Sequence, residues 1–506
     1  MSNSVTSSGH PKALYVLFMA EMWERFCYYG MRALLTLYLI NTLLNGDTVA
    51  FAIYGAYTAL VYAAPVLGGR MADQLLGYRY AVILGGVLMA LGEFFILGNY
   101  LVPGISADSW LFIGMGTIII GNGYFKANIS SIVGRLYEDT DPRKDSGFTI
   151  FYIGINVGAL LATTVCAEVG NIYGYEWGFA LAGFGMILGM LFFLYMGKII
   201  GGEEQIRENA APPDPQKLNE SWIGPLSRFH VTIIGSLLII PVLYYLLVYN
   251  AVVGWLLAAI AIYVIGNLLS VAFKSDNVQR DKILVLIILM FFNITFWACF
   301  EQAGTSLTLF AERNVDRSIF GWEMGAATTQ FFNPFFIMVF GSIFSWLWVA
   351  LDRKGLNPNI PMKFGLGILQ LGIGYLMVIV GGWFSVAYIV PLWTLTFLYL
   401  FHTTGELCLS PIGLSMVTKL APKSMTGTVM GAWFLSFAGS NYLAGILAQL
   451  TGGEGHGGGE AGIITAADSL ATYTDVFSTI GFITVGIGVF LMLISPLLNK
   501  MMHGVK

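Results

Sequence analysis

Glu21, Glu24 and Arg25 lie five residues or fewer apart inside an apolar stretch that continues through Phe26, Tyr28 and Tyr29 to Arg32. At 100° per residue Glu21, Arg25, Tyr28 and Arg32 fall within about 60° of one another, so one helix face carries two kinds of charge. A charge at the centre of a bilayer costs about 2.5 to 3.5 kcal/mol, so such a stripe faces a bundle interior or an aqueous cavity. Lys126, Glu301, Glu406 and Glu93 sit in comparably apolar surroundings. Left unpaired, these charges together would cost about 20 kcal/mol, so they must pair or be hydrated. Three cations against at least four carboxylates leave an acid over, and an acid that gains and loses a proton as its partners move is what proton coupling requires.

The elements that position these groups are read from composition. The 506 residues are 57% hydrophobic and 11% charged, where a soluble domain carries roughly 25% charged residues. Repeated apolar stretches of about 20 residues identify an all-α polytopic membrane protein. Fourteen spans are expected near 13–43, 49–69, 79–101, 110–134, 146–167, 176–198, 226–249, 251–273, 282–312, 324–350, 362–383, 387–418, 423–450 and 471–499. The leader 1–10 is too short and polar for a signal peptide, and the first span is too long and charged to be cleaved. Of the 25 Lys and Arg, Arg25, Arg32 and Lys126 are inside spans, and Arg313 and Arg317 lie in loops on one side. The rest, such as Arg79, Arg143, Lys144, Lys282, Arg353 and Lys423, fall on the other, which the positive-inside rule makes cytoplasmic, together with both termini.

The polar stretch 201–225 separates six spans from the remainder. Two spans after it, 226–249 and 251–273, have no Asp, Glu, Lys or Arg in their apolar centres, so they are expected at the periphery. The organisation is therefore residues 1–200 as a six-helix bundle, 201–281 as linker and inserted pair, and 282–506 as a second bundle. Residues 452–462 form a glycine-rich loop containing His456. Pro65, Pro241, Pro334, Pro391 and Pro411 are expected to kink their helices. Cys27, Cys166, Cys299 and Cys408 are spaced unlike a metal site or a disulfide framework and read as packing residues. A haem-carrying redox subunit would need paired axial ligands, and only His230 and His402 lie near spans. Nothing suggests nucleic acid binding.

Between spans two and three, Gly69, Asp73, Gly77 and Arg79 resemble the loop signature of the major facilitator superfamily, in which Asp73 and Arg79 would make charged gate contacts. Four further segments narrow the resemblance: Glu21-Met-Trp-Glu-Arg-Phe-Cys-Tyr-Tyr-Gly30, Gly121-Asn-Gly-Tyr-Phe-Lys-Ala-Asn128, Phe151-Tyr-Ile-Gly-Ile-Asn-Val-Gly158, and Glu406-Leu-Cys-Leu-Ser-Pro-Ile-Gly-Leu-Ser415. Together they resemble the proton-coupled oligopeptide transporter family. The resemblance implies a major facilitator fold of twelve core helices in two six-helix bundles plus two inserted helices, in the cytoplasmic membrane. It implies proton-driven symport of di- and tripeptides, and of peptide-like drugs, by a monomer able to transport. It implies no enzymatic activity and no cofactor beyond the proton.

By the same resemblance, Arg32 and Lys126 face the peptide carboxylate and Glu406 its amino group. Asn156 and Asn333 bond peptide groups, Tyr29, Tyr62 and Trp433 line the pocket, and Glu21, Glu24, Arg25, Lys126 and Glu301 couple protons. Without substrate, Lys126 pairs with Glu406 and Arg32 with Glu301. Gly55 stands where animal members carry a histidine, so carboxylates must bear the coupling. Transport of nitrate or another small solute is the alternative, and keeping Glu406 as an amine partner weighs against it. A channel would not explain a pocket charged oppositely at its two ends.

Overall fold

The computed structural model describes residues 9–102, 104–138, 140–422, 425–452 and 465–505. Residues 1–8, Lys423 and most of the glycine-rich loop, with His456, lie outside the described residues. Fourteen long helices run through the described chain: α1 (Lys12–Leu37), α2 (Asp47–Met71), α3 (Gly77–Phe95), α4 (Ala107–Arg135), α5 (Lys144–Leu161), α6 (Tyr175–Leu191), α7 (Arg228–Val248), α8 (Ala251–Lys274), α9 (Asn277–Phe300), α10 (Phe332–Arg353), α11 (Ile360–Trp383), α12 (Trp393–Leu420), α13 (Thr426–Gln449) and α14 (Ala466–Met501). Strands among the described residues form three two-stranded pairs. Nine helical segments of the described chain are long and apolar enough to cross a membrane; α13 is not among them, nor are α1, α4 and α12. Those three carry Glu21, Glu24, Arg25, Arg32, Lys126 and Glu406.

The chain forms two compact units, Met1–Leu34 with Ala63–Tyr245, and Leu35–Tyr62 with Leu246–Lys506. In the first, α3 and α4 approach at glycines: a methyl group on Gly85 would lie 2.6 Å from the Gly121 carbonyl oxygen. There α7 lies on α4, with the Tyr244 hydroxyl 3.2 Å from Ser109 Oγ and the Tyr124 hydroxyl 2.7 Å from Ser236 Oγ. In the second unit α11 and α14 pack as closely, since a Cβ on Gly372 would come within 2.7 Å of the Val485 nitrogen. Small residues let backbones meet where lipid offers no hydrophobic drive. The inserted helix α8 buries only Val253, Leu268 and Ala272, while Trp255, Ile262 and Tyr263 are exposed, as a peripheral helix requires. Arg313, expected in a loop, lies in the last turn of the helix Ser306–Asn314 and holds Asp47 through two bonds of 2.6 and 2.9 Å, a buried partner in the same unit.

Three expected elements differ. The segment expected as a loop at 70–78 stays helical through Leu76 in a π-type turn, Ala72–Leu76, because Ala72 and Leu76 are buried. The chain turns only at Gly77, whose φ of 70° and contact with Pro212, 2.4 Å from where a Cβ would be, admit no side chain. The span expected over 282–312 is broken: α9 ends at Phe300, a 3₁₀ turn covers Glu301–Gly304, and helix resumes over Ser306–Asn314. The span expected from 387 begins at Trp393, and Pro391 pairs in a parallel strand, Val390–Pro391 against Val315–Asp316, so it kinks no helix.

Between α4 and α5, the Arg143 guanidinium bonded to Asp141 holds that carboxyl at about 2, so Asp141 stays ionised down to strongly acidic pH.

Gly372→Leu is expected to destabilise the protein by about 1–3 kcal/mol through overpacking. Gly486→Leu, at a site with nothing within 4 Å of the added carbon, should leave the melting temperature in detergent unchanged.

Candidate functional site

In the first unit Arg25 is shared by two carboxylates. Its Nε lies 2.7 Å from Glu21 Oε1 and 2.8 Å from Glu24 Oε2, and all three side chains are almost fully buried. Residues four apart on a helix meet, and a guanidinium presents enough donors to serve two acids at once. The Asn122 amide on α4 donates to Glu24 Oε1 at 3.0 Å, so Glu24 is held from a second helix. Asn122 stands one helical turn before Lys126; that spacing inside the Gly121-to-Asn128 motif was the signal for it, and sequence reasoning passed over it.

Lys126 and Arg25 both lie 5.9 Å from the centre of the Tyr28 ring, and Arg32 lies 5.8 Å from that of Tyr29. The two tyrosines meet edge to face at 5.2 Å. Cations at such distances from aromatic faces gain about 0.5–2 kcal/mol. Tyr28, which the sequence reading left out of the site, is therefore the ring between two cations. Asn156 is buried and donates to the Tyr152 carbonyl of its own helix at 3.0 Å. Glu93 stands apart from this stripe, fully buried, accepting from the Cys27 thiol at 3.5 Å.

The second unit holds the remaining acids. Asn333, at the start of α10, donates to Glu406 Oε2 at 2.9 Å and to Thr403 Oγ1 at 3.1 Å. Glu406 is 7% exposed and oriented by a neutral amide. A carboxylate so placed can accept an ammonium group through its other oxygen. Tyr62 stacks on Phe437 at 6.0 Å and 16°, and Trp433 meets the same ring edge-on at 6.0 Å. Phe437 joins these two predicted lining residues and was not predicted; its i, i+4 spacing from Trp433 places both on one face. Glu301, 2% exposed, opens the 3₁₀ turn after α9.

Asp73 and Arg79, the residues expected at a gate, turn to different partners. Asp73 accepts from the Tyr78 hydroxyl at 2.6 Å, and Arg135 donates to that hydroxyl at 2.7 Å while lying 4.4 Å over the ring. The Arg79 backbone N–H donates to the Ala210 carbonyl at 3.0 Å. Among the described residues, no cluster of three or more His, Cys, Asp or Glu could hold a metal ion.

The sequence profile of the POT family matches residues 79–456, about three quarters of the chain. The chain belongs to the POT family. It is similar to dipeptide and tripeptide permease B of Aliivibrio fischeri (strain MJ11), 32% identical over 99% of this chain and 97% of the relative. Its fold is similar to a crystal structure of peptide transporter POT in complex with sulfate, with a TM-score of 0.80 and 33% identity over 98% of this chain and 96% of that one. A POT family transporter in complex with a thioalcohol conjugated peptide is similar at a TM-score of 0.77 and 30% identity, over 97% of each chain. This POT-family chain is thus an all-α membrane protein of the major facilitator type.

Arg25→Leu leaves two carboxylates buried without their cation and is expected to cost about 3–5 kcal/mol. Glu21→Gln in the same chain should recover part of the loss. Thermal melting of the purified variants in detergent checks both.

Proposed function

We propose that the protein is a proton-coupled symporter that carries di- and tripeptides into the cytoplasm by alternating access. The observation that carries this reading is the separation of charge: Arg32 and Lys126 over tyrosine rings in one unit, and Glu406 held by Asn333 in the other. A zwitterionic peptide needs cations for its carboxylate and an anion for its ammonium group, and this chain supplies both. The names of its relatives, permeases for dipeptides and tripeptides and a transporter bound to a peptide conjugate, support the same substrate class. Peptide-like drugs with the same termini follow by the same chemistry. Nitrate has no amine for Glu406 to accept, so a small anion leaves that acid without a purpose.

In this reading Glu21, Glu24, Arg25, Lys126 and Glu301 couple protons, with Tyr29, Tyr62, Asn156, Asn333 and Trp433 lining the substrate site and Asp73 and Arg79 serving the gate. Residues 1–200 and 282–506 act as the two six-helix bundles, with 201–281 as the linker and inserted pair. The protein lies in the cytoplasmic membrane with both termini inside, a single chain is able to transport, and it changes no bond in its solute. One proton crossing 100 mV releases about 2.3 kcal/mol. Every 1.4 kcal/mol is tenfold, so one proton per peptide supports a gradient of roughly 40-fold.

Labelled dialanine should accumulate in proteoliposomes under an inward proton gradient, with di- and tripeptides competing and tetrapeptides and nitrate not. Accumulation without the gradient, or competition by nitrate, would overturn the reading. Lys126→Ala should abolish uphill accumulation. Glu406→Gln should weaken free-amine peptides about 10- to 100-fold, the worth of a hydrogen bond to a charged group. N-acetylated peptides should weaken less, and equal losses would remove Glu406 from its amine role.

A further inference from the structure

The interruption of α9 falls next to Glu301, and side chains complete it. A broken helix leaves backbone carbonyls without their i+4 partners, and in a dry interior each must find another donor. Around this break five accept from side-chain donors, and the Gln302 carbonyl also takes the Thr305 backbone N–H at 3.1 Å. Ala298 accepts from Gln302 Nε2 at 3.0 Å, Cys299 from the Tyr375 hydroxyl at 2.6 Å, and Gln302 from Thr305 Oγ1 at 3.4 Å. Ala303 accepts from Thr308 Oγ1 and Gly304 from Thr36 Oγ1, each at 2.6 Å. Thr305, at φ −128° and ψ −103°, takes the backbone out of the helix, and Gly304 lies so close to the Tyr54 hydroxyl that no side chain fits.

Gln302 does more than fill one of these bonds. The same Nε2 donates to the Ala444 carbonyl on α13 at 2.9 Å, and Oε1 accepts from Ser306 Oγ, beyond the break, at 2.7 Å. One fully buried amide therefore ties the helix before the break, the helix after it, and α13. Two turns earlier α9 is tied to α13 again, where Asn293 Nδ2 donates to Ser436 Oγ at 3.0 Å and that hydroxyl donates to the Trp433 carbonyl at 2.6 Å. Glu301 lies between the two ties, and Trp433 stands at the end of one of them.

We propose that Gln302 is a positioning residue for proton coupling: it fastens the hinge beside Glu301 to α13, so that a change of charge on Glu301 moves the helix that carries Trp433. The inference rests on the reading of Glu301 as a coupling acid. A hinge whose carbonyls are met by side chains can pivot without breaking a helical ladder, whereas Gln302 cannot leave α13 without orphaning a buried donor or acceptor. That penalty, about 1–3 kcal/mol for each group, keeps the two helices moving together.

The test separates coupling from transport. Parent, Gln302→Leu and Ser306→Ala are reconstituted, and each is assayed for dialanine accumulation driven by a proton gradient and for gradient-free counterflow exchange. Gln302→Leu should accumulate at least about tenfold less than the parent with exchange within about twofold of it, as expected for loss of a coupling free energy of ordinary size. Ser306→Ala, which removes only the bond beyond the break, should fall between the two. Accumulation by Gln302→Leu equal to the parent's, or loss of exchange as large as the loss of accumulation, overturns the role of Gln302. If Gln302→Leu does not fold, Gln302→Met, which also lacks a donor for the Ala444 carbonyl but keeps an unbranched side chain of similar length, decides by the same comparison. A parent that fails to accumulate dialanine overturns the function itself and this role with it, a result distinct from a coupled parent beside an unaffected variant.

Discussion

A guanidinium buried between two carboxylates within one membrane helix is the constraint from which the first unit takes its form. Arg25 cannot be left alone in an apolar bundle, and neither can Glu21 or Glu24, so α1 must turn its charged stripe toward other polar groups. The Asn122 amide answers from α4, and the Tyr28 ring accepts Arg25 and Lys126 on its faces. Close packing of α3 on α4 through glycines makes that part of the unit dense enough for short bonds to be possible at all. The buried charges are thus also what sets the rotation of α1 and α4.

In the second unit the corresponding constraint is backbone rather than charge. Irregular backbone at membrane depth is tolerated only where its polar groups are met within the protein. The turn at Glu301–Gly304 meets that condition through Gln302, Thr36, Thr308 and Tyr375, and the start of α10 through a 3₁₀ turn whose Gln330 amide donates to Thr308 Oγ1 at 2.9 Å. The acid at one break and the asparagine at the other, Glu301 and Asn333, lie where helices are interrupted, which is where transporter folds place their binding groups. Asn333 in turn fixes one oxygen of Glu406.

The segment from Asp73 to Arg79 follows a third rule. Asp73 and Arg79 are close in sequence and opposite in charge, which invites a pairing between them. The helix continues past Asp73 because Ala72 and Leu76 are buried, so the acid meets Tyr78 and, through it, Arg135. Arg79 is drawn by its backbone toward Ala210. Local burial outweighs the attraction of two exposed charges, which is worth at most about 1 kcal/mol.

The sequence by itself determined the class and the order of the molecule. Apolar stretches of bilayer length and four ordered motifs sufficed for fourteen helices and a major facilitator fold, and intramembrane charge singled out Arg25, Lys126, Glu301 and Glu406 as candidates, because hydropathy and helical periodicity are local properties of the chain. Tertiary structure alone decided which groups those charges meet. Asn122, Tyr28, Phe437 and Thr403 share helix faces with predicted site residues, and only the packing decides which groups they meet. It also decided that α9 breaks at Glu301, since an apolar run containing one glycine reads as continuous helix. Only the packing of Tyr54 against Gly304, and the arrival of side-chain donors from α1, α11 and the segment after the break, make the interrupted backbone cheaper than the straight one.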